Sequence, residues 1–147
     1  ASGSEYMERT LSHEFDDITA LTPEEQKGRL DIKYKMQSGS HVIIELKRSE
    51  RTGLRAIELY EQGNKYRQGL KKCVQSTDSP EPHIQVIFLL GEMPGESQPG
   101  ELDKLMSMIN GRCLTYTQLI NSALGAYRAY LEKSEKVRKV EKIIDEL

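Results

Sequence analysis

Residues 29–48 read RLDIKYKMQSGSHVIIELKR, and the reading of this stretch decides the fold. Leu30, Ile32, Tyr34 and Met36 alternate with Asp31, Lys33 and Lys35. Val42, Ile44 and Leu46 then alternate with Ile43, Glu45 and Lys47, so the period of two that marks a half-buried strand occurs twice. Between the runs, Ser38-Gly39-Ser40 predicts a three-residue hairpin loop with glycine in the left-handed conformation. A slip of one residue would turn one apolar set outward, so both sets on one face fix the register. That register sets Asp31 opposite Lys47 and diagonal to Glu45, with all three side chains on one face.

Working outward, LRAIELYEQGNKYRQGLKKCV (54–74) has helical spacing, with Leu59, Gln62, Tyr66 and Cys73 along one stripe. Two glycines within it imply a close approach to the sheet or a bend, since each costs about 1 kcal/mol relative to alanine. IQVIFLLG (84–91) predicts a short strand buried on both faces. Strand, helix, strand implies a crossover unit, hence an α/β fold with a central mixed β-sheet flanked by helices. A loop over 91–100, a short helix over 101–109 and an extended piece at Cys113-Leu114 follow. From Thr117 to Leu147 the apolar positions fit one long C-terminal helix or two shorter ones. If continuous it would be about 45 Å long, which suggests docking to a partner domain or a second copy.

Upstream, residues 5–15 predict a short amphipathic helix, and Thr22-Pro23-Glu24-Glu25 predicts a capped helical turn ended by Gly28. Ala1–Ser4 have the composition of a tag remnant, leaving residues 5–147 as one domain with a helical extension over 117–147. With 147 residues, 37% hydrophobic and 30% charged, one core is the expectation. No apolar run reaches the roughly 18 residues of a membrane helix. A soluble, cytoplasmic protein with no membrane partner is expected. Cys73 and Cys113 read as core thiols, and His13, His41 and His83, with no ligand spacing, as surface histidines.

Glu45 and Lys47, two apart on a strand, point to one face, and Asp31 adds a second carboxylate from the neighbouring strand. Two carboxylates with the Leu46 backbone carbonyl outline a hard-cation site for Mg²⁺ or Mn²⁺, and Lys47 would stand beside the attacking water. The same side chains also describe a surface cross-strand ion-pair cluster of the ordinary kind.

Asp31 followed by Glu45-Leu46-Lys47 across a hairpin resembles the D…ExK signature of the PD-(D/E)XK nuclease superfamily. Gln62 and Tyr66, as Q-x-x-x-Y on the next helix, resemble the motif of its RecB-type and Mrr-like members. VIIELKR and the late LTYTQLINSALGAYRAYL are also similar to nuclease domains of Shedu-type antiphage defence proteins. Leu30 stands where the motif name has proline. The resemblance covers roughly residues 5–90 and implies a restriction-endonuclease-like core that hydrolyses DNA phosphodiester bonds with Mg²⁺ or Mn²⁺. It implies that Asp31 and Glu45 are metal ligands, that Lys47 serves the hydrolytic water, and that Gln62 and Tyr66 support the site and contact DNA. An acidic residue of the N-terminal helix, Glu14 or Glu8, would complete the metal shell.

The chain's formal net charge is -2, which excludes a uniformly basic DNA clamp. Residues 47–72 nevertheless carry eight basic against three acidic side chains, a local patch suited to a phosphate backbone. The competing expectations are a non-catalytic binding or assembly module on the same fold, motivated by the charge and the long helix, and a dimeric Holliday-junction resolvase.

Overall fold

The computed structural model describes residues 22–26, 28–74 and 81–146. The predicted N-terminal helix, with Glu8 and Glu14, lies outside the described residues. Among the described residues the order is α1 (Pro23–Gln26), β1 (Arg29–Gln37), β2 (Ser40–Lys47), α2 (Ala56–Val74), β3 (Ile84–Leu90), α3 (Glu101–Met108), β4 (Gly111–Thr115) and α4 (Tyr116–Glu146). The four strands form one sheet in the order β1-β2-β3-β4, with β1 antiparallel to β2 and the other two pairs parallel. This is a mixed α/β fold whose central sheet is flanked by helices, with a long C-terminal helix. The chain divides into two compact units, residues 1–115 and 116–147. No described helix is long and apolar enough to cross a membrane.

The hairpin departs from its predicted register. Ser38 (φ 52°) and Gly39 (φ 79°) both take the left-handed conformation, and Gln37 pairs with Ser40 across a two-residue turn. Positive φ at both central positions matches the right-handed twist of the flanking strands, and only Ser38 bears the steric cost. Shortening the loop by one residue moves every cross-strand pair by one. Ile32 therefore faces Glu45, Tyr34 faces Ile43, and Asp31 faces Leu46, not Lys47. On β2 the buried set is His41, Ile43, Glu45 and Lys47, while Val42, Ile44 and Leu46 are half-buried on the other face. Leu30 and Met36, expected in the core, are exposed.

The core lies on the Ile43 face. Ile32, Tyr34, Ile43, Val86, Phe88 and Leu90 from the strands pack with Leu59, Tyr66 and Leu70 of α2 and Met106 and Ile109 of the α3 region. Burial on α2 recurs at Ala56, Leu59, Gln62, Gly63, Tyr66 and Leu70, the spacing of one helical face. Gly63 explains one of the two glycines within the predicted helix, because a Cβ there would stand 2.5 Å from Ile109 Cδ1. The Arg67 guanidinium ties the layers by donating to the carbonyls of Ile84 (2.6 Å) and Ile109 (3.0 Å). Gly91, just past β3, lies flush on the loop after β2, where a Cβ would meet the Ser49 carbonyl oxygen at 1.9 Å. β3 is buried on one face and half-buried on the other, not equally on both.

Helix α4 is one continuous element of 31 residues, about 47 Å long at 1.5 Å per residue, and it has no buried residue. Leu124, Tyr127, Leu131, Val137, Val140 and Ile144 are all exposed on it. Two smaller expectations change as well. Cys73 is exposed while Cys113 is half-buried, and His41 is buried, hydrogen-bonded through Nδ1 to the Tyr34 hydroxyl at 2.5 Å.

Candidate active site

The shift of register carries Glu45 and Lys47 to the inner face at the exit of β2. Glu45 is 0% exposed and Lys47 1%, which overturns the surface ion-pair cluster as an account of these two residues. Lys47 Nζ stands 3.0 Å from Glu45 Oε1 and donates to Gln62 Oε1 at 3.1 Å and to the Glu25 carbonyl at 3.3 Å. Gln62 and Tyr66 are one helical turn apart on the buried face of α2, so both project toward the end of β2. Four of the predicted residues, Glu45, Lys47, Gln62 and Tyr66, thus meet in one buried cluster drawn from a strand and a helix.

The electrostatics of the cluster are set by burial. It raises the Glu45 carboxyl above the ordinary carboxylate range, a rise that Lys47, Tyr66 and Arg29 oppose without cancelling. Burial, reinforced by the neighbouring Glu45, raises the Tyr66 phenol beyond its ordinary value, and Arg29 counteracts this only in part. Lys47 and the Tyr66 hydroxyl both bond the Glu45 carboxyl, and the Arg29 charge acts on it as well. The contact with Lys47 is a buried, short-range charge pair.

Asp31 is not brought in. It shares the face of Leu46, its side chain is 55% exposed, and its oxygens are taken by the Ile32 N–H (2.8 Å) and by Lys33 Nζ (3.6 Å). The expected sharing of one face by Asp31, Glu45 and Lys47 is therefore corrected. The cause is the two-residue turn, whose register sets Asp31 opposite Leu46; beyond that pair an irregularity gives β1 one residue more than β2 between Arg29 and Asp31. Leu46 stays on the outer face, half-buried, so it could offer the cluster only its backbone carbonyl. Among the described residues no group of three or more His, Cys, Asp and Glu side chains is placed to hold a metal.

Two groups at the site were not anticipated. Arg29, opposite Lys47 in the ladder, acts on the charges of Glu45 and Tyr66. Glu25 closes a reciprocal capping box with Thr22 (3.1 and 3.3 Å), and its Oε1 also accepts from Lys65 at 2.6 Å. Burial raises the Glu25 carboxyl, but the bonds from Lys65 and Thr22 outweigh it and hold the group below its ordinary value. The Thr22-x-x-Glu25 spacing was the available signal for the cap. Nothing in the sequence spacing placed that cap over Lys47.

The basic patch is thinner than its composition suggests. Lys47 is buried, Arg51 donates to Thr52 O, Arg55 to Ser97, Lys65 to Glu25 and Arg67 to two carbonyls, while Lys71 pairs with Glu81. Arg48 and Lys72 are exposed. No family model matches the chain, and neither the curated proteins nor the solved structures include a match.

Proposed function

We propose that this chain is a metal-dependent nuclease domain that hydrolyses DNA phosphodiester bonds, built on a restriction-endonuclease-like core. One observation carries the reading. The ExK pair and the Q-x-x-x-Y pair, separated in sequence, converge on the Lys47 ammonium and the Glu45 carboxylate inside the protein. A buried ion pair is a poor device for stability, because desolvation offsets most of the attraction. A buried carboxyl raised above its ordinary range, at the carboxyl end of an inner strand, is a recognised mark of chemistry.

Glu45 supplies buried carboxylate oxygens, the donor type a hard cation takes. Mg²⁺ or Mn²⁺ held by Glu45 and the Leu46 carbonyl would lower the pKa of a bound water and polarise the phosphate. Lys47, fixed by Gln62 Oε1 and the Glu25 carbonyl, orients a water and supplies positive charge to the developing phosphorane. Gln62 and Tyr66 are positioning residues, one holding the ammonium and the other lying against Glu45. Arg48, exposed just past Lys47, would supply positive charge to a DNA backbone.

The test is cleavage of end-labelled DNA in Mg²⁺ and in Mn²⁺, with thermal melts of each variant. Glu45→Gln, which keeps the shape, and Lys47→Met are each expected to abolish cleavage while the proteins remain folded. Cleavage retained in both would sink the assignment. A non-catalytic binding or assembly module is the second reading, favoured by the outward Asp31. Absence of cleavage in both metals, with a stable dimer by light scattering, would support it.

A further inference from the structure

We infer that the Glu25–Lys65 ion pair is a latch that closes α1 over the Lys47 ammonium, and that a phosphate backbone opens it by taking Lys65 from Glu25; the inference rests on the nuclease reading above, whose site it regulates. Lys47 is 1% exposed, although the next three residues, Arg48, Ser49 and Glu50, are all exposed. Its ammonium donates to Gln62 Oε1 from α2 and to the Glu25 carbonyl from α1. A lysine enclosed in this way cannot share a water with a phosphodiester until one of the two sides is withdrawn. Gln62 belongs to a helix of 19 residues whose buried face packs into the core, and Glu25 to a helix of 4. Of the two, α1 is the side that can move.

So short a helix is far below the length that holds itself in water. Its capping box joins Glu25 to Thr22 alone, which fixes the shape of the turn but not its place. The tie to α2 is the bond that Glu25 Oε1 accepts from Lys65 at 2.6 Å. Lys65 lies one helical step from Gln62, on the neighbouring position of the same helix surface. Glu25 is thus held twice from one region, its carbonyl by Lys47 and its carboxylate by Lys65. The Lys65 and Glu25 side chains are 37% and 19% exposed, so the pair is within reach of a competing anion. A DNA phosphate that pairs with Lys65 both removes the partner of Glu25 and repels its carboxylate. The ligand that needs the site therefore opens it.

The test labels accessible amines with an acylating reagent and reads Lys47 by mass spectrometry, in the whole protein without metal or DNA. Lys47 is expected to react far more slowly than the exposed Lys72. Lys65→Met and Glu25→Gln should each speed labelling of Lys47 about threefold to tenfold, the size of a partly exposed charge pair, and Lys65→Arg should restore the slow rate. Combining Lys65→Met with Glu25→Gln should add nothing further. Thermal melts of each variant separate a released turn from general unfolding. Labelling at Lys47 unchanged by both single variants overturns the latch. Amide exchange at Glu25, with a short DNA duplex added in the absence of metal, tests the trigger: it should quicken in the native chain and stay the same in Lys65→Met. Exchange in the native chain unmoved by DNA overturns the trigger. Faster labelling in the variants, together with no cleavage in Mg²⁺ or Mn²⁺, leaves the latch standing and removes the nuclease reading.

Discussion

One face of the β1–β2 hairpin buries two polar pairs, and they are built on opposite principles. Near the turn, Tyr34 and His41 are neutral, 7% and 8% exposed, and satisfy each other through a hydrogen bond. At the exit, Glu45 and Lys47 are ionisable, more deeply buried, and paired at 3.0 Å, with Tyr66 and Arg29 acting on the same carboxyl. Burial lowers the His41 imidazole and raises the Glu45 carboxyl, in each case disfavouring the charged form. The first pair is what a core needs from polar groups. The second is more than a core needs, and the excess lies beside Gln62 and Tyr66.

The largest effect that would break this contrast is at Lys47. Lys47→Ala leaves Glu45 buried without its cation, and urea unfolding should show a loss of about 3–5 kcal/mol. Replacing both members, as Glu45→Leu with Lys47→Met, should cost much less in stability while still abolishing cleavage. A loss as large in the double variant as in the single one would show the pair to be structural after all. At the turn end, Tyr34→Phe removes the hydroxyl from a buried imidazole nitrogen and should cost about 1–3 kcal/mol, with cleavage unaffected.

The two pairs should also respond to pH in opposite senses, measured without metal as urea midpoints. With the imidazole lowered from 6.5, the unfolded chain binds more protons just below that value, so this contribution is lost as pH falls through 6.5. With the carboxyl raised from 4.5, the folded chain holds the proton longer, so that contribution is present at low pH and lost as pH rises past 4.5. His41→Gln should flatten the first slope and Glu45→Gln the second. The smallest change is expected at Asp31→Asn without metal, where an exposed ion pair contributes at most about 1 kcal/mol to stability. A larger loss would mean that Asp31 is held outward more firmly than its partners suggest.

Much of this was legible in the chain, and the part that was not has a definite cause. Period-two alternation located β1 and β2, the apolar run located β3, and Thr22-Pro23 located the cap of α1. The spacing of Gln62 and Tyr66 placed them on one helical face. The register failed because it was derived from the rule that the more apolar set faces inward, giving Val42, Ile44 and Leu46 to the core. The core instead takes His41, Ile43, Glu45 and Lys47, against the hydrophobic pattern. Burying Glu45 and Lys47 breaks the pattern in this way, because their charges take the inner face while Val42, Ile44 and Leu46 take the other. A two-residue turn beginning with serine, rather than Asn-Gly, gave no warning of the shift.

The bare backbone at Gly91 lets the end of β3 pack closely against the Ser49 carbonyl. Because no side chain intervenes, the segment that leaves β2 can lie flat on its neighbour, and the lysine at its root inherits that placement. Any larger residue at that point would wedge the two segments apart. The course of the chain just past Lys47 would then depend on a residue that never touches the lysine's ammonium.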